Sequence, residues 1–186
     1  MATPRDIIEI VRCSFGCQFD DSQILDIINS LEKKLNIDIV RNTEILENSV
    51  KKESMACDLE FPAVYILKVF FNGRQVFKSD APDKNGYRIE NNKLILNLPS
   101  EDGKIQIEKL AMPENFSTED FNLRSLLLSQ EYNEIYIYHI LTREALMYND
   151  FDRVNNFSLL YAEALRALKE RYSSVVCSSA CYRNIW

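Results

Sequence analysis

The chain has 186 residues and a formal net charge of −6, and 46% of its residues are hydrophobic. This length and composition predict one globular domain with a buried core, and they argue against a disordered chain. An acidic protein has no general attraction for phosphate backbones, so we do not expect tight non-specific binding to nucleic acid. An acidic surface would, however, let DNA slide past without sticking.

The N-terminus and the cysteines predict the compartment. Residues 1–6 lack the basic start and the apolar run of a signal peptide, and no apolar stretch approaches the length that spans a bilayer. We therefore expect a protein that folds in a cytosol and has no membrane contact. The chain has five cysteines. An odd number fits a complete disulfide framework poorly and favours free thiols in a reducing compartment.

Residues 1–55 predict N-terminal helices. Thr3 can cap the first helix, Pro4 occupies its favoured first position, and Gly16 can end it. A second helix begins at residues 20–22. Its apolar residues are spaced by three and four and lie on one helical face: Ile24, Ile28, Leu31, Leu35 and Ile39. The pattern weakens through Leu46 and Val50. The apolar pattern leaves open whether residues 22–54 form one helix or two. If there are two helices, the break between them lies within residues 36–42.

Residues 56–112 predict an inserted β-sheet. The stretch 64–71 is rich in β-branched and aromatic residues, and Asn72-Gly73, a strong hairpin signal, follows it directly. Two further candidate strands, 87–90 and 93–98, flank Asn91-Asn92. A turn at Gly103 precedes a strand over 104–110. Hairpin spacing predicts four to six short strands in a small antiparallel sheet.

Residues 113–172 predict two C-terminal helices that complete the bundle. Ser117 and Asp120 have capping-box spacing. The run 135–138 alternates like a strand, but its wider spacing and the absence of a breaker favour a helix. The apolar stripe from Val154 to Tyr172 predicts the closing helix. The fold class is therefore α+β: a helical bundle of two N-terminal and two C-terminal helices with an inserted sheet, forming a single folded unit.

Residues 173–186 form a terminal segment of different character. The segment has no acidic residue, one basic residue, and the only tryptophan of the chain. Tyr182, Arg183, Ile185 and Trp186 are of the types that dominate interface hot spots. A frayed chain end is the alternative, but an apolar, acid-free end favours docking to a partner.

Three sets of residues are candidate chemical sites. His139 is the only histidine, and no glycine-framed serine lies near it for triad chemistry. Two C-x-x-x-C pairs, Cys13 with Cys17 and Cys177 with Cys181, could bind zinc or form a disulfide, but zinc knuckles use a closer spacing. Unreactive or buried thiols are the preferred interpretation.

Asp83, Asp102 and Lys104 can be matched loosely to a metal-dependent nuclease, in which carboxylates and a lysine gather around a divalent ion. Turn residues account for both segments equally well. The lysine pairs 33–34 and 51–52 fit solvated helix faces. We therefore expect no catalytic residues, no cofactor and no metal, and a protein that is not an enzyme.

The order of elements resembles the head-to-tail adaptor (connector) proteins of tailed bacteriophages. Like those proteins, the chain has an N-terminal helical pair, a β insertion and a returning helical pair. The resemblance covers about Asp20 to Tyr172 and does not include the first helix with its two cysteines. These stretches carry it: Asp21-Ser22 with Ile27-Ile28-Asn29, Phe61-Pro62 leading to Leu67, Val69 and Asn72-Gly73, residues 87–94, residues 103–107, and residues 160–165.

The resemblance implies a viral structural protein in the neck of the virion, assembled in the host cytoplasm. It implies a dodecameric ring beneath the portal protein, with tail or stopper proteins below and DNA passing through the middle. Terminal segments of the family reach the portal, a role that would fall here to residues 173–186. Ring contacts could use the strand aromatics Tyr65, Phe70, Phe71 and Phe77, if some of them face outward. The alternative is a small acidic interaction protein of inhibitor or immunity type, with the metal-dependent nuclease less favoured.

Overall fold

A computed structural model describes residues 2–51, 55–79, 86–97, 102–119 and 121–181, with the backbone alone over 174–181. It confirms an α+β fold in which a helical part is interrupted by β structure. The chain divides into two compact units where we expected a single folded unit. Met1–Val40 and Met112–Trp186 form the helical unit, and Arg41–Ala111 form the β unit.

The helical unit contains four α-helices among its described residues. They are α1 (Pro4–Phe15), α2 (Asp21–Leu35), α3 (Asn133–Met147) and α4 (Phe151–Cys181). A π-helical turn, Asn36–Val40, extends α2, and a 3-10 turn, Gln130–Tyr132, leads into α3.

The predicted start and end of α1 are confirmed. The Thr3 hydroxyl accepts a hydrogen bond from the backbone of Asp6, whose carboxylate accepts one from the Thr3 N–H at 2.7 Å. This capping box satisfies two of the N–H groups that a helix start leaves unpaired. Gly16 ends the helix with φ of 68°, a left-handed conformation that suits glycine. Asp20 and Gln23 form a second capping box at the start of α2.

The prediction of helix beyond residue 42 is wrong. The break in 36–42 is confirmed, but a strand, β1 (Thr43–Val50), follows it. Leu46, Asn48 and Val50 are spaced by two, as on one face of a strand. The polar Asn48 interrupts the apolar alternation because it donates a hydrogen bond to Cys57. Because Asn48 is polar, the sequence lacks the apolar alternation of a strand. Leu46 and Val50 then stand at a spacing of four, which resembles a helix.

The β unit contains seven strands in two antiparallel sheets within the described residues. The first sheet has the order β1-β7-β3-β4 and the second β2-β6-β5. Their bounds are β2 (Ala56–Asp58), β3 (Ile66–Phe71), β4 (Arg74–Val76), β5 (Gly86–Glu90), β6 (Lys93–Asn97) and β7 (Gly103–Leu110). The predicted turns at Asn72-Gly73 and Asn91-Asn92 are confirmed, and all four residues have positive φ.

Each unit has its own core. In the β unit, Val69, Phe71 and Ile107 of the first sheet pack in one cluster with Leu94 and Leu96 of the second. The helical core is centred on α3, which is apolar on almost every side because α1, α2 and α4 all pack against it. Because neighbouring helices cover several sides of α3, its apolar residues are not confined to one stripe. The run 135–138 can therefore alternate and still be helical.

The boundaries of the C-terminal helices differ from the prediction. Residues 111–129 form turns and irregular backbone, so the helix expected from Ser117 is absent from the described part of this stretch. The closing helix continues to Cys181 instead of ending near Tyr172. Ser, Val and Cys favour helices only weakly, which is why the sequence indicated an end there.

Polar side chains of α2 hold the irregular segment in place. The Asn29 carboxamide accepts from the Phe116 N–H at 2.7 Å and donates to the Phe116 carbonyl at 3.1 Å. One turn along, the buried Glu32 accepts from the Leu127 N–H and from the Tyr136 hydroxyl. These bonds replace the regular pairing that a helix would have provided.

Replacing Asn29 with alanine should lower the free energy of unfolding by about 2 kcal/mol. The substitution leaves the Phe116 N–H and carbonyl without their partner, and an unsatisfied partly buried group costs on the order of 1–3 kcal/mol. Ser30→Ala, at an exposed position of the same helix, should change stability by less than about 0.5 kcal/mol. Urea titration of both variants provides the comparison, and equal effects would contradict the assigned role of Asn29.

Gly103→Ala should destabilise the β unit. A methyl group at residue 103 would lie 2.5 Å from the Asn72 side-chain oxygen and 2.5 Å from the Phe71 ring. Because Phe71 is buried, the overlap should cost about 1–3 kcal/mol. Lys104→Ala, at the exposed neighbouring position, is the control. A urea midpoint for Gly103→Ala equal to that of the control would show that the ring moves aside freely.

Candidate functional site

The four predicted docking residues, Tyr182, Arg183, Ile185 and Trp186, lie outside the described residues. The structure describes the helix that directly precedes them. Helix α4 has 31 residues and ends at Cys181, so the predicted docking segment continues from its C-terminal end.

Helix α4 packs on the helical core through part of its length. Leu168 is fully buried, and the other contacting side chains are partly buried. At the end of this contact, the Arg171 guanidinium donates to the Glu131 carboxylate at 2.7 Å and to the Tyr132 hydroxyl at 3.0 Å. Tyr172 is the last described side chain that packs on the core. The apolar stripe includes Phe157, Tyr161, Ala164 and Leu165, as predicted, whereas Leu160 is 40% exposed.

Large apolar side chains are exposed around the turn between α3 and α4. Leu146, Met147, Tyr148 and Phe151 are 45%, 61%, 56% and 65% exposed, respectively. We call these four residues the turn patch. Soluble monomers expose such residues singly more often than in groups, so these four residues are a candidate interaction surface.

Buried polar contacts fix the turn patch in position. Glu144 is 1% exposed. Its carboxylate accepts from the Gln18 backbone N–H at 2.5 Å and pairs with Arg153 at 3.4 Å. Asp150 accepts from the Arg153 N–H at 3.1 Å and so caps the start of α4. The turn is therefore tied both to the segment after α1 and to the first turn of α4.

The aromatic strand residues expected to make ring contacts are divided between surface and interior. Phe77 is 69% exposed, Tyr65 and Phe70 are partly buried, and Phe71 is buried in the β core. Phe71 does not meet the condition of facing outward, because its ring packs inward beside Gly103, whereas Phe77 does.

His139 lies on α3 with its ring tilted against the Tyr161 ring of α4, the ring centroids being 5.1 Å apart. Burial lowers the pKa of His139 from 6.5 to about 4, and the nearby charges of Arg143 and Lys34 add to the effect. A neutral, packed imidazole is a component of the α3–α4 interface.

The cysteine pairs are not joined in the described part of the chain. Cys13 is exposed and Cys17 is buried, and both are free thiols, as is Cys57. The structure describes the backbone of Cys177 and Cys181 as part of α4 but does not describe their side chains. Among the described side chains, no group of three or more histidine, cysteine or acidic residues is arranged to hold a metal ion.

The residues of the nuclease alternative lie at a strand start. Asp83 is outside the described residues, and Asp102 and Lys104 flank Gly103. The Lys104 N–H donates to the Asn72 side chain at 2.9 Å, and the Asn72 N–H donates to the Lys104 carbonyl at 3.0 Å. These bonds join the start of β7 to the β3–β4 turn, which gives this segment a structural role.

Sequence reasoning missed the turn patch. Its signal is the apolar run Leu146-Met147-Tyr148 directly before a loop, with Phe151 directly after it. Apolar residues that continue into a turn, where burial is difficult, indicate an exposed surface.

Across the part of the chain that is described, no helix combines the length and apolarity needed to cross a membrane.

His139 should remain neutral above about pH 5 and should reduce stability in acid. The pKa of His139 is near 4 in the folded state, whereas the ordinary value of 6.5 applies to the unfolded chain. As the pH falls, the unfolded chain therefore takes up the proton before the folded chain does. The contribution is complete above pH 6.5 and is lost as the pH falls from 6.5 toward 4, by up to about 3 kcal/mol. His139→Gln should remove this part of the pH dependence of Tm. Because the chain has one histidine, its imidazole can also be titrated directly by NMR, and a midpoint near 6.5 would contradict this account.

No protein-family model matches the chain, and no curated protein matches it at a significant level.

Proposed function

We propose that this chain is a structural subunit of the head-to-tail connector ring of a tailed bacteriophage. It binds beneath the portal protein, joins it to tail or stopper proteins, and lets DNA pass through the ring. The observation that carries the proposal is the order of its elements. Two short helices, a separately packed β insertion and two returning helices follow one another, as in the family that the sequence resembles.

Helix α4 supports portal binding through the terminal segment. Tyr172 is the last of its described side chains that packs on the core, and its backbone remains helical to Cys181. The segment after it carries Tyr182, Arg183 and Trp186, which suit a buried contact with a partner. The proposed docking residues follow this helix in the chain and lie outside the described residues.

Exposed apolar residues supply surfaces for ring formation. A subunit in a cyclic ring uses two different faces, one for each neighbour. The helical unit offers the turn patch, and the β unit offers Phe77, Val64 and Ile45, which are 69%, 80% and 65% exposed. Dissimilar exposed surfaces of this kind suit the heterologous contacts of a ring of twelve copies.

The net charge of −6 suits a channel wall. Acidic groups repel the phosphate backbone, so DNA that passes through the ring is not held. The function requires no chemical step, and we assign no catalytic residue, cofactor or metal to the chain. The proposed location is the neck of the virion.

Electron microscopy of the protein mixed with its candidate portal tests the proposal. The full chain should cap the portal as a ring, and a chain that lacks residues 174–186 should not. Full-length Tyr182→Ala with Trp186→Ala should weaken capping by at least about tenfold, since each is of a hot-spot type. Ser178→Ala with Ser179→Ala is the matched control and should cap normally.

Two outcomes would overturn the proposal. A protein that stays monomeric and ignores the portal in every form is not a connector subunit. Tight one-to-one binding of a single basic protein, with no ring, would instead support the inhibitor or immunity alternative.

A further inference from the structure

The two sheets of the β unit end in edge strands that are consecutive in the chain. Strand β1 is the edge of the first sheet, and β2 is the edge of the second. β1 pairs with β7, and β2 pairs with β6. Within the described residues, β1 and β2 do not pair with each other, so each has one edge without a ladder partner.

The register identifies which peptide groups point to the free edge of β1. The Ala111 N–H donates to the Asn42 carbonyl at 2.8 Å, and this pair continues the β1–β7 register. Hydrogen-bonded and non-bonded pairs alternate along an antiparallel ladder. The peptide groups of Thr43, Ile45, Glu47 and Ser49 therefore point away from β7.

The same reasoning applies to β2. The Leu59 N–H donates to the Asn92 carbonyl at 2.9 Å, and the Leu96 N–H donates to the Met55 carbonyl at 2.8 Å. Because bonded pairs alternate, Ala56, one residue along from Met55, directs its peptide groups away from β6. Asp58 does the same.

A cleft of about 420 Å³ lies along these two free edges. Residues 46–49 of β1 and 56–58 of β2 line it, with Glu60, Phe61 and Ile107. Alternate residues of a strand line a site on a sheet face, whereas consecutive residues line a site along a sheet edge. The consecutive lining residues therefore place the cleft, which we call the edge cleft, beside the backbone.

Strand β1 lacks the features that usually protect an edge. Natural edge strands are shielded by lysine, proline or a bulge, and β1 contains none of them over its eight residues. Its two glutamates are engaged by β7. Glu44 pairs with Lys109, and Glu47 accepts from Gln106 at 2.6 Å. Among the described residues, no backbone hydrogen bond engages the outward peptide groups of Glu47 and Ser49, and the one side-chain bond from β1 to β2 runs from Asn48 to Cys57 at 2.9 Å.

The charges of the edge cleft indicate the kind of segment it would accept. Its charged lining residues among those described are Glu47, Asp58 and Glu60, of which Asp58 pairs with Lys93 at 3.1 Å, and no lysine or arginine is among the described lining residues. Leu46, Phe61 and Ile107 supply apolar contact area. An added strand that alternates basic with apolar side chains is complementary to both the acidic and the apolar lining residues.

We propose that the edge cleft binds an extended, alternating basic and apolar segment of a partner protein, which adds a β-strand along β1. Backbone hydrogen bonds to Glu47 and Ser49 supply affinity, and the acidic and apolar lining selects the side chains. This inference goes beyond the connector function, because neither ring formation nor portal binding requires the cleft.

The probe is a set of hexapeptides that alternate lysine or arginine with valine, isoleucine, leucine or phenylalanine, tested on the full chain by fluorescence anisotropy. Members of the set should bind, and their glutamate counterparts should not. N-methylation of alternate peptide nitrogens should weaken binding at least about tenfold, since it removes the donors that a β-strand needs.

Two proline variants locate the binding site. Ser49→Pro removes an outward N–H beside the cleft and should weaken binding at least about tenfold. Thr43→Pro removes an outward N–H of the same strand away from the cleft and should leave binding unchanged. Both positions are exposed on an edge, where proline is tolerated, and circular dichroism checks that both variants fold.

Several results would overturn the proposal: no binding by any peptide of the set, equal loss in both proline variants, or unchanged binding after N-methylation. Self-association that Ser49→Pro abolishes, without peptide binding, would identify a second copy of the chain as the occupant and would also reject the partner segment.

Discussion

The helical unit depends on hydrogen bonds from α2 to the backbone of the irregular segment that returns from the β unit. This segment has no ladder of its own, so its buried N–H and carbonyl groups need side-chain partners. Asn29 satisfies both backbone groups of Phe116, and Glu32 accepts from Leu127 at 3.0 and 3.1 Å through its two oxygens. The Ala2 carbonyl accepts from the Leu126 N–H at 2.9 Å. Leaving such groups unpaired would cost on the order of 1–3 kcal/mol each.

Glu32 also connects this segment to the core. Its carboxylate accepts from the buried Tyr136 hydroxyl, which in turn accepts from the Leu128 N–H at 3.4 Å. Burial raises the pKa of Glu32 above its usual range, which shows that the charge is costly in this position. The hydrogen bonds from Tyr136 and Leu127 reduce this cost without removing it, and their convergence on one carboxylate fixes the path of the chain into α3.

Local signals in the sequence predicted much of the fold. Thr3, Pro4 and Gly16 define α1, and the Asn72-Gly73 and Asn91-Asn92 pairs define two hairpins, because caps and turns depend on neighbouring residues. β1 was missed because the polar Asn48 interrupts the alternation of the strand, and its hydrogen-bond partner, Cys57, lies on another strand. The irregular segment was predicted as helix because its hydrogen-bond partners lie on α2, far away in sequence.

The candidate sites divide in the same way. Residue types indicated a docking role for Tyr182 and Trp186, which lie outside the described residues, so that role stays a prediction. The turn patch could have been read from Leu146-Met147-Tyr148 before a loop. The edge cleft could not, since it depends on the register of β1 with β7 and of β2 with β6. Register arises from pairing between segments that are distant in the sequence, so the residue composition of a single strand does not reveal it.

The continuity of α4 past Tyr172 has a mechanical consequence. An α-helix rises 1.5 Å and turns about 100° per residue, so residues 173–181 extend the axis by roughly 13 Å and fix a rotational phase as well as a distance. A flexible linker of equal length would set only a maximum reach. In a helix, the loss of a single residue would shorten the reach only slightly but would turn whatever follows it by more than a quarter of a revolution.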